Sequence, residues 1–206
     1  MLDLLVATSN RGKLKEFQSL LPPWVRVVGL QEVHCEMPEE TGATFSENAQ
    51  IKAMSAASQT GMLCCADDSG ICVEALGGAP GIYSARYAGV GASDAENRGS
   101  LLRALTHVPP PERTARFVCA IVLADPSGVI GEVEGVCQGS VALAERGDNG
   151  FGYDPLFQLA DGRTIAMLSA AEKDVTSHRG QAVRMLIPLL EAQRRDSAPV
   201  PGRAGS

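Results

Sequence analysis

In LCCADDSG, residues 63–70, an apolar run ends in two adjacent carboxylates, Asp67 and Asp68. Neighbouring carboxylates repel, and no basic residue lies close to them along the chain to offset that cost. A hard divalent cation would offset it, since Mg²⁺ takes one or two carboxylates and bridges to substrate phosphates. A solvated turn at Ser69-Gly70 is the plainer alternative. Successive side chains of a strand face opposite ways, so one acid of the pair points into a given crevice while the other is free to brace the turn. Glu39 and Glu40, in the acidic loop EMPEETGA, offer a second acid for a metal.

Three further stretches carry chemistry. TSNRGK, residues 8–13, lies between a strand-like run and a helical one. Small polar residues there place backbone N–H groups at a helix start, where an anion binds, and Lys13 adds a point charge. The spacing is not that of a Walker A loop. NGFGYDP sets Phe151 and Tyr153 between glycines, then Asp154. Aromatic faces stack on a nucleobase and exposed backbone reads its edge; as a structural element the same loop simply plugs the core. SHRGQ opens a helix with His178 and Arg179, and Lys173 stands shortly before it. A solvated helix start is its ordinary counterpart. Taken together, a phosphate-ready turn, acids for a metal, an aromatic loop and a late basic cluster describe a nucleoside phosphate site. Mg²⁺ would neutralise the polyphosphate there, and water is the candidate nucleophile.

The elements that position these residues follow from the pattern. Residues 2–7 read as a buried strand, and Leu14, Phe17 and Leu21 mark a helix that Pro22-Pro23 ends. A strand follows at 25–30, then a helix from the capping box Thr44/Glu47 to Thr60 with Gly61 behind it. Residues 62–66 read as a strand and ICVEAL as a separate extended piece. The glycine-rich loop 77–93 is too long for an ordinary connection and is read as functional. Ser93/Glu96 and Ser169/Glu172 are two more capping boxes. RFVCAIVLA, the turn DPSG and a partner at 129–143 form an antiparallel hairpin. Pro188 should kink or shorten the last helix. This makes an α/β protein with a mixed β-sheet and flanking helices, a single domain over 1–195 and a disordered tail over 196–206.

Composition narrows the function classes. The net charge of −6 argues against a broad grip on nucleic acid. No apolar stretch is long enough for a membrane span. The N-terminus lacks the features of a signal peptide. The six cysteines (Cys35, Cys64, Cys65, Cys72, Cys119, Cys137) show no CxxC pair and mostly sit in apolar runs. They read as small hydrophobes in a reducing, cytoplasmic setting rather than a zinc site or a disulfide framework.

ATSNRGKLKEF, EETGATFSENAQIKA, ADDSGICVEALGGAPGIYSARYAG, GFGYDPLF and EKDVTSHRGQA occur in that order over residues 4–190. They resemble the signature blocks of the inosine triphosphate pyrophosphatase family. The resemblance implies two lobes around a central cleft, a homodimer, and Mg²⁺-dependent hydrolysis of ITP, dITP and XTP to the monophosphate and pyrophosphate. By motif, Thr8, Ser9, Asn10, Arg11, Gly12 and Lys13 would hold the triphosphate, with Lys52 facing phosphate as well. Asp68 would be the catalytic carboxylate and share Mg²⁺ with Glu40, while Ser69 contacts substrate. That assignment leaves Asp67 to brace the turn. Phe151, Gly152, Tyr153 and Asp154 would surround the base, and Lys173, His178 and Arg179 complete its pocket. A related family acting on modified pyrimidine nucleotides matches the motifs poorly, and a sensor without turnover would not need Asp68, Glu40 and Lys13. Ser9 and Met167 depart from the family pattern, which more often has Gly and Glu there.

Overall fold

A computed structural model describes residues 1–196. Strand β1 (Leu2–Val6) buries Leu4, Leu5 and Val6 completely, as a parallel strand covered on both faces must. Helix α1 (Arg11–Leu20) starts at Asn10, whose side chain accepts from the N–H groups of Gly12 and Lys13, and it buries Phe17. Strand β2 (Val25–Gly29) then pairs parallel to β1. Helix α2 (Phe45–Thr60) is capped by Thr44 and closed by Gly61 at φ +70°. Of the expected capping box at Thr44, only half forms: Glu47 reaches back to the N–H of Ala43 instead. Strand β3 (Cys64–Val73) returns beside β1 on the side away from β2.

This order places the functional crevice. The chain leaves β1 towards β2 through α1, and comes back to β3 through α2, so neighbouring strands on either side of β1 are reached in opposite directions. In open α/β sheets ligands bind outside the carboxyl end of the strand where the order reverses. TSNRGK occupies that end of β1.

The rest of the sheet is antiparallel, with strand order β2-β1-β3-β4-β5-β6. Strands β4 (Thr114–Asp125) and β5 (Gly128–Val141) make the expected hairpin, and short β6 (Phe157–Gln158) adds the edge. Near the hairpin tip Leu123 faces Gly131 while Ala124 faces Val129, so Ile130 is an unpaired bulge residue. Helix α3 (Asp94–Ala104) carries the complete Ser93/Glu96 capping box.

One face of the sheet packs Phe17 of α1 and Ala182, Val183, Leu186 and Leu190 of the last helix over Cys65, Cys119, Ile121 and Leu123. The other packs the alanines of α2 over Cys64, Ala66, Val122 and Ala124. A third cluster joins Ile71, Phe117, Leu101 of α3, Leu156 and Phe157 at the far end of the long strands. The first two cores, on either face of the sheet, make one lobe and the third makes the other, and the crevice opens between them.

Several expectations are corrected. Residues 69–70 make no turn: β3 runs unbroken through DDSG and absorbs ICV, and Glu74–Leu76 follows as a short 3₁₀ turn. The long glycine-rich stretch carries a 3₁₀ turn over Gly81–Arg86. The Ser169/Glu172 box forms as expected and caps helix α4 (Ala170–Thr176), and α5 (His178–Asp196) follows. Pro188 does not shorten α5, because buried Leu186 and Leu190 anchor the helix in the core on both sides of it. Helix α5 includes Asp196, and the rest of the expected tail lies outside the described residues. No described helix is long and apolar enough to cross a membrane. The six cysteines are unpaired, and burial pushes the thiols of Cys64 and Cys137 up to about 11 and that of Cys119 to about 12. Thiols held protonated in this way are inert packing groups.

Candidate active site

The crevice encloses about 430 Å³, the size of an ordinary small-molecule pocket. It exists because β1 is short. Beyond Leu5 and Val6, which face Cys64 and Cys65, β1 stops and the edge of β3 is left open towards the cavity. Asp68 and Ser69 line that opening.

Strand alternation sends the two acids to opposite faces. Asp68 turns towards α2, where Asn48 Nδ2 donates to Oδ2 at 3.2 Å and Lys52 Nζ lies 3.6 Å from Oδ1. Asn48 and Lys52 are one helical turn apart and both buried, so they present one face to Asp68. Lys52 also pairs with Glu40 Oε1 at 2.6 Å, and Arg86 reaches Glu40 Oε2 at 3.3 Å. Burial raises the pKa of Asp68 despite Lys52 and Lys13 nearby. Burial also opposes ionisation of Glu40, but Lys52 and Arg86 outweigh it and hold that carboxyl below its usual range. Burial works against the charge of Lys52 too, yet Asp68, Asp67 and Glu40 together raise its pKa.

Asp67 turns towards α1 and α5. Its Oδ2 accepts from Lys13 Nζ at 2.9 Å and from Arg179 Nη2 at 3.0 Å. Asp67 is fully buried, and burial alone would raise its pKa; Lys13, Arg179 and Lys52 reverse that and hold it well below the carboxylate range. The turn-bracing role expected of Asp67 is therefore replaced by a buried ion-pair centre.

Arg179 also donates to Ser69 Oγ at 2.8 Å and pairs with Glu16. Glu16 in turn pairs with Lys173 at 2.6 Å, and Lys173 with Asp154 at 2.6 Å. Asp154 accepts from the N–H of Phe151 at 3.0 Å, which folds the aromatic loop back on itself. Lys173 sits 4.9 Å and Arg179 5.8 Å from the centre of the Phe151 ring. Gly12 lets that ring close over the start of α1, since a Cβ there would lie 2.7 Å from it. On the other side of the loop, α3 grips the Gly152 peptide from both ends. Asp94 accepts from its N–H at 2.7 Å, and Arg98 donates to its carbonyl at 2.9 Å. Tyr153 Oη donates to the Ser84 carbonyl at 2.8 Å. His178 is buried and stacks on Phe117 at 4.6 Å, with its Nδ1 unpartnered. Burial, with Arg179 and Lys173 nearby, lowers its pKa far enough to keep the ring neutral at physiological pH.

The structure thus brings the expected residues to one cavity. Thr8, Ser9, Asn10 and Lys13 line it with Glu40, Lys52, Asp68 and Ser69. Phe151, Gly152, Tyr153 and Asp154 line it too, with Lys173, His178 and Arg179. Arg11 is exposed and Gly12 lies under Phe151, so neither borders the cavity. The N–H groups of Gly12 and Lys13, expected to be free for an anion, are taken by the Asn10 cap. Sequence reasoning missed Glu16, Asn48, Arg86, Asp94 and Arg98. Asn48 and Lys52 were detectable as polar residues on the alanine-bearing face of α2, and Glu16 as one turn beyond Lys13.

The donor set suits Mg²⁺. Asp68 and Glu40 are hard oxygen donors on opposite sides of a bound ammonium, a place already arranged around a cation. Among the described residues no three His, Cys, Asp or Glu side chains converge into a metal cage.

Comparison with known proteins bears on the family and the fold. Among similar relatives, a protein of Mannheimia succiniciproducens named dITP/XTP pyrophosphatase is 48% identical, over 92% of this chain and 98% of its own. One of the same name from Gloeobacter violaceus is 49% identical, over 89% and 92%. The solved structure of a HAM1 protein from Coxiella burnetii superposes with a TM-score of 0.84 at 43% identity, covering 93% of this chain and all of that one. The model of the Ham1 family matches residues 4–189, and the chain belongs to that family.

Proposed function

We propose that this protein hydrolyses the nonstandard purine nucleotides ITP, dITP and XTP to the monophosphate and pyrophosphate, with Mg²⁺. The observation that carries the reading is the set of groups gathered in one cleft. Asp68, Glu40, Lys13 and Lys52 line it together with an aromatic loop, Lys173, His178 and Arg179. The name shared by the similar relatives supports the same substrate class.

Hydrolysis adds water across the bond between the α- and β-phosphates, and pyrophosphate leaves. Lys13 and Lys52 sit where the polyphosphate charge would lie, and Lys52 is held in place by Glu40. Asp68, which lines the cleft, would take the proton from water. When bound between Asp68 and Glu40, Mg²⁺ would supply charge neutralisation for the phosphates.

Hypoxanthine and xanthine present a 6-oxo acceptor where adenine presents an amino donor. Lys173 holds two carboxylates and keeps one hydrogen for substrate. Arg179 is committed to Asp67, Ser69 and Glu16, leaving a single Nη1 hydrogen. Adenine would set donor against donor, and buried mismatches of that kind discriminate by orders of magnitude.

The test is pyrophosphate release from ITP, XTP, GTP, ATP and dTTP with Mg²⁺. Release from ITP and XTP about 10²-fold or more above ATP is expected; equal slow release from all would overturn the reading. The family resemblance extends the proposal to a cytoplasmic homodimer, for which light scattering should give twice the chain mass.

A further inference from the structure

Asp67 does not border the cavity, yet its Oδ2 is the common acceptor of two cations that do. Lys13 comes from the first turn of α1, among the residues read as holding phosphate, and Arg179 from the first turn of α5, among those read as holding the base. Arg179 also donates to Ser69, so it is tied to both chain neighbours of Asp68. The fold fixes this contact. Ser69 faces Cys119, and Cys119 faces Gly135, in one row across three strands. At Gly135 a Cβ would lie 2.1 Å from the His178 carbonyl, so only glycine lets the start of α5 settle on that row. Arg179 is thereby delivered over Ser69 and Asp67.

We propose that Asp67 is a positioning residue that couples recognition of the base to phosphate chemistry. The inference rests on the nucleotide reading of the cleft and deepens it. Two cations on one carboxylate oxygen cannot move independently. While Arg179 stays on Oδ2 the negative charge is shared, and Lys13 can turn to a phosphate. A base that displaces Arg179 leaves the whole charge facing Lys13, which is then retained by Asp67. Base identity would therefore act on kcat as well as on binding.

The experiment is steady-state hydrolysis of ITP and ATP by the full chain with Mg²⁺, comparing wild type, Asp67→Asn, Arg179→Lys and the double variant. Asp67→Asn should lower kcat/KM for ITP by about 10- to 100-fold, chiefly in kcat, with ATP changing less than about threefold. The ITP-to-ATP ratio should narrow at least about threefold. Arg179→Lys keeps the charge but cannot span Oδ2 and Ser69 Oγ, so it should narrow the ratio similarly, and the double variant no further. Thermal unfolding checks that each variant is folded at the assay temperature; should Asp67→Asn not be, the ratio measured for Arg179→Lys alone decides. Losses in the same proportion for ITP and ATP, on a selective wild type, would sink the coupling and leave the nucleotide reading standing. A wild type that cleaves neither nucleotide would sink both.

Discussion

On the α1/α5 face of β3, Asp67 has two cations on one oxygen; one residue later, on the α2 face, Asp68 has an amide and a lysine it shares with Glu40. Both carboxylates are buried, so burial alone would raise both pKa values. Partners decide the outcome: Asp67 ends well below the ordinary range and Asp68 above it. The partners differ in charge: Asp67 holds two cations on Oδ2 while its Oδ1 has no partner, and removing it strands both cations. Asp68 has an amide, the Ser69 N–H and one lysine at 3.6 Å, so a proton or a metal still improves its surroundings.

Exchanging the charges one at a time tests that division. The largest effect should come from Asp68→Asn, with kcat for ITP down about 10²- to 10⁴-fold and nucleotide affinity nearly unchanged by calorimetry. A variant with near-normal kcat would refute the catalytic assignment. Asp67→Ala should instead show in stability. It leaves Lys13 and Arg179 buried without their counter-charge, a loss of about 3–5 kcal/mol in denaturant unfolding. If Asp68→Ala cost as much, the two faces would not differ in kind.

A third variant sharpens the contrast by leaving both acids alone. Arg98→Ala releases the Gly152 carbonyl from α3. It should raise KM for ITP about tenfold with kcat within about threefold, since a bond from a charged donor is worth about 1.5–3 kcal/mol. An equal loss in kcat would mean that the loop sets the chemistry as well.

The smallest effect concerns pH. His178 shares the Asp67 face, and its folded pKa lies well below its unfolded value near 6.5. Below about pH 6.5 the unfolded chain therefore binds a proton that the folded protein refuses, and stability falls by up to about 1.4 kcal/mol per pH unit. The depressed pKa of Asp67 works in the same direction lower down: its contribution is full above about pH 3.9 and is lost as pH falls towards the folded value. His178→Phe, which keeps a ring against Phe117, should flatten the slope of unfolding free energy between about pH 5 and 6.5 and leave the lower limb intact.

Local signals carried much of the fold. The Ser93/Glu96 and Ser169/Glu172 boxes, the Gly61 stop and the DPSG hairpin were legible because caps and turns are satisfied within a few residues. DDSG was misread for the converse reason. Ser-Gly has turn chemistry, but here it is pinned in a strand by pairing to Cys119 and Val118, far along the chain. The residues of the site were legible chiefly through resemblance. Their partners were not, since nothing near Asp67 in sequence signals Lys13 or Arg179. Asp94 and Arg98 carry no sequence signal beyond lying in the helix that Ser93 caps; the loop peptide they hold, at Gly152, is far along the chain.

The bulge at Ile130 bears on how the chain can be engineered. It already takes up a one-residue mismatch between the hairpin tip and the row that seats α5 on Gly135. Residues added within DPSG, 125–128, therefore need not propagate, and this tip is the place to graft an epitope or a tether. One residue added between Ile130 and Gly135 has no such slack. It would slide β5 by a position and put a side chain beneath the first turn of α5, dislodging Arg179 without touching a single active-site residue.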